Sequence, residues 1–139
     1  MAVEALFTAV DHVGIATPSL DEGRALYEGL FGLAPSLREN LPDQGTAVLM
    51  LRCGETGIEL LAPLSPESPV GKFLAERGPG LHHVAYRVPD ISAALERCRR
   101  AGLELVDQVP RRGAGGHRVA FLHPRSTGRV LIELIEAHG

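Results

Sequence analysis

Tryptophan is absent from this chain of 139 residues, and aromatic residues make up only 4% of it. A core with so few rings must be assembled from Leu, Val, Ile and Ala. Cysteine is nearly as scarce. Cys53 and Cys98 stand apart with no Cys-x-x-Cys pattern, which argues for free thiols rather than a disulfide framework. Two free thiols fit a reducing cytoplasm, and a cytoplasmic protein is the expectation. Positive charge is not in excess: 14 Lys and Arg against 17 Asp and Glu leave a net charge of −3, with no block of one sign. That argues against a nucleic-acid-binding face, although Arg97, Arg99, Arg100, Arg111, Arg112 and Arg118 leave room for a local anion site. No apolar run approaches the roughly 20 residues of a membrane span. The opening residues carry Glu4 and no basic region, so they do not read as a secretory signal. What is present is a core-forming composition, 45% apolar and 22% charged, at a length that suits one compact domain or two very small fused modules.

The chain repeats itself once. His12-Val13-Gly14-Ile15-Ala16-Thr17-Pro18-Ser19-Leu20 lies over His83-Val84-Ala85-Tyr86-Arg87-Val88-Pro89-Asp90-Ile91. Each stretch reads as a strand, a turn at the proline and a helix. The first helix is expected over Leu20 to Phe31, with Ser19 as N-cap, Glu22 closing a capping box and Gly32 as the stop. The second is expected over Ile91 to Ala101, from Asp90 as N-cap to Gly102. Strands are expected at Ser36 to Glu39, Thr46 to Arg52 and Gly57 to Ala62 in the first half. In the second they fall at Leu103 to Val109, Arg118 to Leu122 and Val130 to Ile135. Each half therefore reads β-α-β-β-β. The Pro- and Gly-rich segment 63–80 reads as a linker with one short helix, capped by Ser68 and with Pro69 at its first position. The expected class is α+β: two tandem βαβββ modules, about residues 8–62 and 81–136, joined as one domain over 6–136. A half of this size buries little alone, so the halves are expected to pack together, with mixed sheets around a shared cavity.

The last strands of the halves also match: Ile58-Glu59-Leu60-Leu61 with Ile132-Glu133-Leu134-Ile135. Each sets a carboxylate in an apolar strand, where an ionised group costs several kcal/mol unless a cation, donor or water meets it. His12 precedes Glu59 by 47 positions and His83 precedes Glu133 by 50, so the order His-then-Glu recurs at nearly one spacing. Two imidazoles and two carboxylates make a divalent-metal site with positions open for substrate. The mix suits Mn, Fe, Co, Ni or Zn better than Mg or Ca. By strand alternation Gly14 shares a face with His12 and Ala85 with His83, leaving room beside an ion, whereas His82 points to the other side. A single His or Glu in a strand is more often an ordinary edge or hydrogen-bonded residue; it is the fourfold recurrence that favours a site. His117, His123 and His138 have no such pattern, and His123 before Pro124 and the terminal His138 read as loop residues.

The runs Asp11-His12-Val13-Gly14-Ile15-Ala16, Ile58-Glu59-Leu60-Leu61-Ala62-Pro63, Gly78-Pro79-Gly80-Leu81-His82-His83-Val84-Ala85, Phe121-Leu122-His123-Pro124 and Val130-Leu131-Ile132-Glu133-Leu134 resemble the methylmalonyl-CoA epimerase family of the vicinal oxygen chelate (glyoxalase-like) superfamily. The resemblance spans roughly Leu6 to Glu136. It implies paired βαβββ modules, a divalent metal held by His12, Glu59, His83 and Glu133 (cobalt foremost, or manganese, nickel or zinc), a small acyl-CoA substrate and a homodimer. It also implies inversion of the carbon between a carboxylate and a thioester carbonyl, with catalytic carboxylates on both faces: Glu133 is the candidate on one and Asp43 on the other, and Glu59 could replace either. The chain departs from the family pattern at three positions. Glu59 stands where some members have Gln, Asp43 stands before Gln44-Gly45 where the family has Glu, and Arg129 stands where a Gly commonly precedes the last strand. Pro42-Asp43-Gln44-Gly45 is also a good turn sequence in its own right. Lys72, Arg111, Arg112 and Arg118 are available to CoA phosphates but read singly as surface charge. Competing readings are a glyoxalase I-type isomerase, an extradiol dioxygenase on the same scaffold, or a non-catalytic small-molecule binding module.

Overall fold

The computed structural model describes residues 4–136, so His138 lies outside the described residues. The architecture is α+β and forms two compact units, residues 12–82 and residues 4–11 with 83–136. The first contains most of β1 (Ala9–Ala16), α1 (Leu20–Arg24), β2 (Ala34–Leu41), β3 (Thr46–Cys53), β4 (Thr56–Pro63) and α2 (Pro69–Arg77). Its strands lie in the order β2-β3-β4-β1. β3 is antiparallel to both β2 and β4, while β1 runs parallel to β4 with Gly14 opposite Glu59. The second contains most of β5 (Gly80–Val88), α3 (Ile91–Arg100), β6 (Arg111–Arg112), β7 (Arg118–Leu122) and β8 (Ile132–Glu136). Its order is β5-β8-β7-β6, with β5 parallel to β8 and Ala85 opposite Glu133. The strand pairing within each unit is mixed because a strand-helix crossover returns the chain parallel, whereas hairpins return it antiparallel.

The caps form as the sequence dictates. Ser19 accepts from the backbone N–H of Glu22 and Asp90 from that of Ala93, while Ser68 accepts from Gly71 and starts α2 at Pro69. α1 and α3 each lay apolar residues on the strands of their own unit. In the first unit Leu20, Leu49, Leu51 and Leu60 form a buried cluster; in the second Ile91, Leu95, Leu122 and Leu134 do the same. Burying one such side chain contributes about 1.5–3 kcal/mol.

Three expectations are corrected. The helix over Leu20 to Phe31 is α-helical only to Arg24 and continues as a π-turn over Ala25–Leu30. Phe31 N–H there donates to the carbonyl of Leu26, five residues back, in a turn that holds Gly29, a weak helix former. The widened turn still lets Tyr27 pack on the core. The strand expected over Leu103 to Val109 does not form; only Leu105 bridges to Leu122. The Asp107 carboxylate takes the N–H of Phe121, and the N–H groups of Val106 and Asp107 both reach the Phe121 carbonyl, so no regular ladder continues. The last strand starts at Ile132 rather than Val130, because Arg129 has φ +70° and the N–H of Val130 closes a turn onto Thr127.

Candidate active site

His12 and Glu59 sit on neighbouring parallel strands of the first unit, 2% and 6% exposed. His12 Nε2 lies 3.6 Å from Glu59 Oε1. The geometry follows from register: Glu59 faces Gly14, two residues beyond His12, and the missing side chain at Gly14 lets the carboxylate lean back to the imidazole. The second unit repeats this arrangement. His83 and Glu133 are equally buried, Glu133 faces Ala85, and His83 Nε2 lies 3.2 Å from Glu133 Oε1. Each pair sets one buried nitrogen donor against one buried oxygen donor through the same two atoms. Such a donor set fits a borderline divalent cation, which also offsets the cost of keeping the carboxylate ionised away from water.

Asp43 is placed differently. It is exposed on a 3-10 turn, Pro42–Gln44, between β2 and β3, and among the described residues its carboxylate makes no hydrogen bond or ion pair. The turn itself is held rigidly. Gly45 adopts φ +66°, its carbonyl accepts from Leu64, and a Cβ there would meet the Ser68 Cβ at 2.7 Å. His82 turns away as alternation requires and packs edge-on against Phe73, with ring centroids 4.9 Å apart. His123 is a loop residue whose Nδ1 accepts from the N–H of Arg125. Cys53 is exposed and Cys98 buried, both as free thiols; burial pushes the Cys98 thiol up from its usual range.

One neighbour of the site stands in a run that carries the family resemblance, Phe121-Leu122-His123-Pro124, yet sequence reading does not place it at the site. Phe121 pairs with Glu133 across β7 and β8, and its ring stands edge-to-face against His83 with centroids 5.6 Å apart. Only the register, which brings β7 beside β8, identifies it.

A βαβββ unit, repeated, with a buried His and Glu at equivalent places in each copy, defines a glyoxalase-like protein. The model of the Glyoxalase/Bleomycin resistance protein/Dioxygenase superfamily matches residues 11–121. The ethylmalonyl-CoA/methylmalonyl-CoA epimerase of Cereibacter sphaeroides is 39% identical over 128 residues, covering 90% of this chain and 95% of that protein. The crystal structure of methylmalonyl-CoA epimerase from Mycobacterium tuberculosis matches with a TM-score of 0.93 at 39% identity, over 100% of this chain and 94% of that one. A methylmalonyl-CoA epimerase solved in complex with methylmalonyl-CoA and ammonium matches with a TM-score of 0.92 at 34% identity, over 96% of each chain. The chain belongs to this superfamily and, within it, to the methylmalonyl-CoA epimerase family. Among the described residues no helix is long and apolar enough to cross a membrane.

Proposed function

We propose that this protein is an isomerase that inverts C2 of methylmalonyl-CoA, interconverting the 2R and 2S forms. The observation that carries the reading is the buried His–Glu pair repeated in both units. From the two pairs we assign His12, Glu59, His83 and Glu133 as the ligands of one divalent cation, cobalt or else manganese, nickel or zinc. Such a cation supplies Lewis-acid stabilisation of the negative charge that develops on the thioester oxygen, more in the transition state than in the ground state.

The protein residues do the rest. The Glu133 carboxylate removes the C2 proton from one face, leaving a planar enolate. A carboxyl on the opposite face returns a proton to C2, and we assign this role to Asp43. Run backwards, the roles exchange, so each carboxylate serves one stereoisomer. A fixed turn suits Asp43 to this duty, since its side chain is shorter by one methylene than the family's Glu and needs its backbone held close to the substrate. Positioned acid-base groups of this kind contribute about 10²–10⁴-fold each.

The fold class and the donor set are common to both reactions, and it is the acyl-CoA named for the relatives that supports this one over a glyoxalase I-type reaction. We further read residues 6–136 as one vicinal oxygen chelate domain and the protein as a cytoplasmic homodimer, on the strength of the family resemblance. The test is incubation with methylmalonyl-CoA in deuterated water. Deuterium should appear at C2, faster with Co(II) or Mn(II). Absence of label, with turnover of the methylglyoxal-glutathione adduct instead, sinks the reading. In the same assay Asp43→Asn should keep its metal yet slow inversion; unchanged inversion makes Asp43 a turn residue only.

A further inference from the structure

Within residues 83–136, the surroundings of His83 draw in a cation that the metal and acid-base roles leave unused. The Phe121 ring that stands against His83 carries a second neighbour: the Arg111 guanidinium carbon lies 5.7 Å from its centroid. Arg111 is thus one aromatic ring away from a proposed ligand. It also projects from the matching face. Arg111 pairs with Val119 across β6 and β7, and Val119 packs with Ala85 and Ile135, which share strand faces with His83 and Glu133.

Its hydrogen-bonding capacity is held open. Asp107 accepts the Phe121 N–H through Oδ2 at 2.8 Å, and its Oδ1 lies 3.4 Å from Arg111 Nε. One carboxylate therefore ties the inner nitrogen of the guanidinium to β7. Among the described residues it is the only ion-pair partner of Arg111, so both terminal amino groups are left to a ligand. Nearby arginines differ. Arg118 pairs across the strands with Arg112 and spends its terminal nitrogens on Glu136 and Ser92, and Arg99 spends its own on Glu96 and the Gln108 carbonyl. A planar guanidinium, oriented from behind and open in front, suits an oxyanion.

We propose that Arg111, positioned by Asp107 and Phe121, binds an anionic oxygen group of the acyl-CoA thioester, either its free carboxylate or a phosphate; this rests on the epimerase reading above. The test is calorimetric binding of three thioesters: methylmalonyl-CoA, propionyl-CoA (no free carboxylate) and methylmalonyl-pantetheine (no phosphate of the nucleotide). The proteins are wild type, Arg111→Met, which keeps the stem over Phe121, and Arg100→Ala, which removes the same charge from the exposed end of α3. Arg111→Met should bind methylmalonyl-CoA about tenfold or more weakly, as loss of a charge-assisted hydrogen bond implies. Arg100→Ala should bind as wild type does. A penalty that persists with propionyl-CoA and vanishes with the pantetheine thioester assigns the partner as phosphate, and the reverse assigns the carboxylate. Wild-type affinity of Arg111→Met for all three, or an equal loss in Arg100→Ala, overturns the proposal. Wild-type protein that binds none of the three instead overturns the epimerase reading, a distinct result.

Discussion

In residues 12–82 the strand that follows the helix, β2, runs eight residues and pairs along its length with β3. In the second unit the corresponding stretch offers one bridge at Leu105, and the outermost strand shrinks to Arg111–Arg112. The inner parallel pairs, by contrast, are copies: β1 beside β4 and β5 beside β8, each with His and Glu at equivalent register. The difference has a clear cause. Asp107 satisfies the backbone of Phe121 with a side chain where a ladder would use a carbonyl, and the freed edge presents Arg111. One unit commits its outer strand to sheet, and the other commits it to polar groups beside a His–Glu pair. The duplicated fold thus keeps its His–Glu strand pairs and lets its outer strands specialise.

The comparison is broken most forcefully at the carboxylates. Glu133→Gln should cut deuterium exchange at C2 by about 10²–10⁴-fold and lower bound metal, whereas Glu59→Gln should lower metal with a smaller loss of exchange once cobalt is saturating. Equal losses under saturation would show that the units share the proton-transfer role. Next in size is the core. Leu60 and Leu134 follow the two carboxylates and are both fully buried, so Leu60→Ala and Leu134→Ala should each cost about 2–5 kcal/mol in urea unfolding. A large inequality would show that one unit dominates stability. The smallest effect belongs to Arg129, the one non-glycine with positive φ among the described residues. A left-handed conformation costs an L-residue about 1–2 kcal/mol, partly offset by the backbone entropy that glycine loses. Arg129→Gly should therefore raise the free energy of unfolding slightly, by up to about 1 kcal/mol; a drop would mean that the arginine side chain makes a stabilising contact.

Much of this was legible in the chain. The His–Glu spacing, the prolines before each helix and the three caps located the inner strands, the helices and the buried carboxylates, because these features act over a few residues or by strict alternation. The stretch 103–109 misled for a physical reason. Its alternating Leu103, Leu105 and Val109 look like a strand, but Val106 and Val109 are left exposed once Asp107 takes the ladder's place. Likewise nothing local marks the π-turn at Ala25–Leu30, which is a choice of hydrogen-bond partner one residue further back.

Composition and repetition alone determined that this is a duplicated α+β protein with an imidazole and a carboxylate at matching points of each copy, since periodicity and unfavourable burial of charge are written in residue type. Tertiary structure decided that each carboxylate leans onto its histidine, that Phe121 stands against His83, and that Arg111 rather than Arg118 keeps its nitrogens open. Those outcomes depend on strand register and on which carboxylate reaches which donor. Such contacts join residues far apart in the chain, so no short stretch of it encodes them.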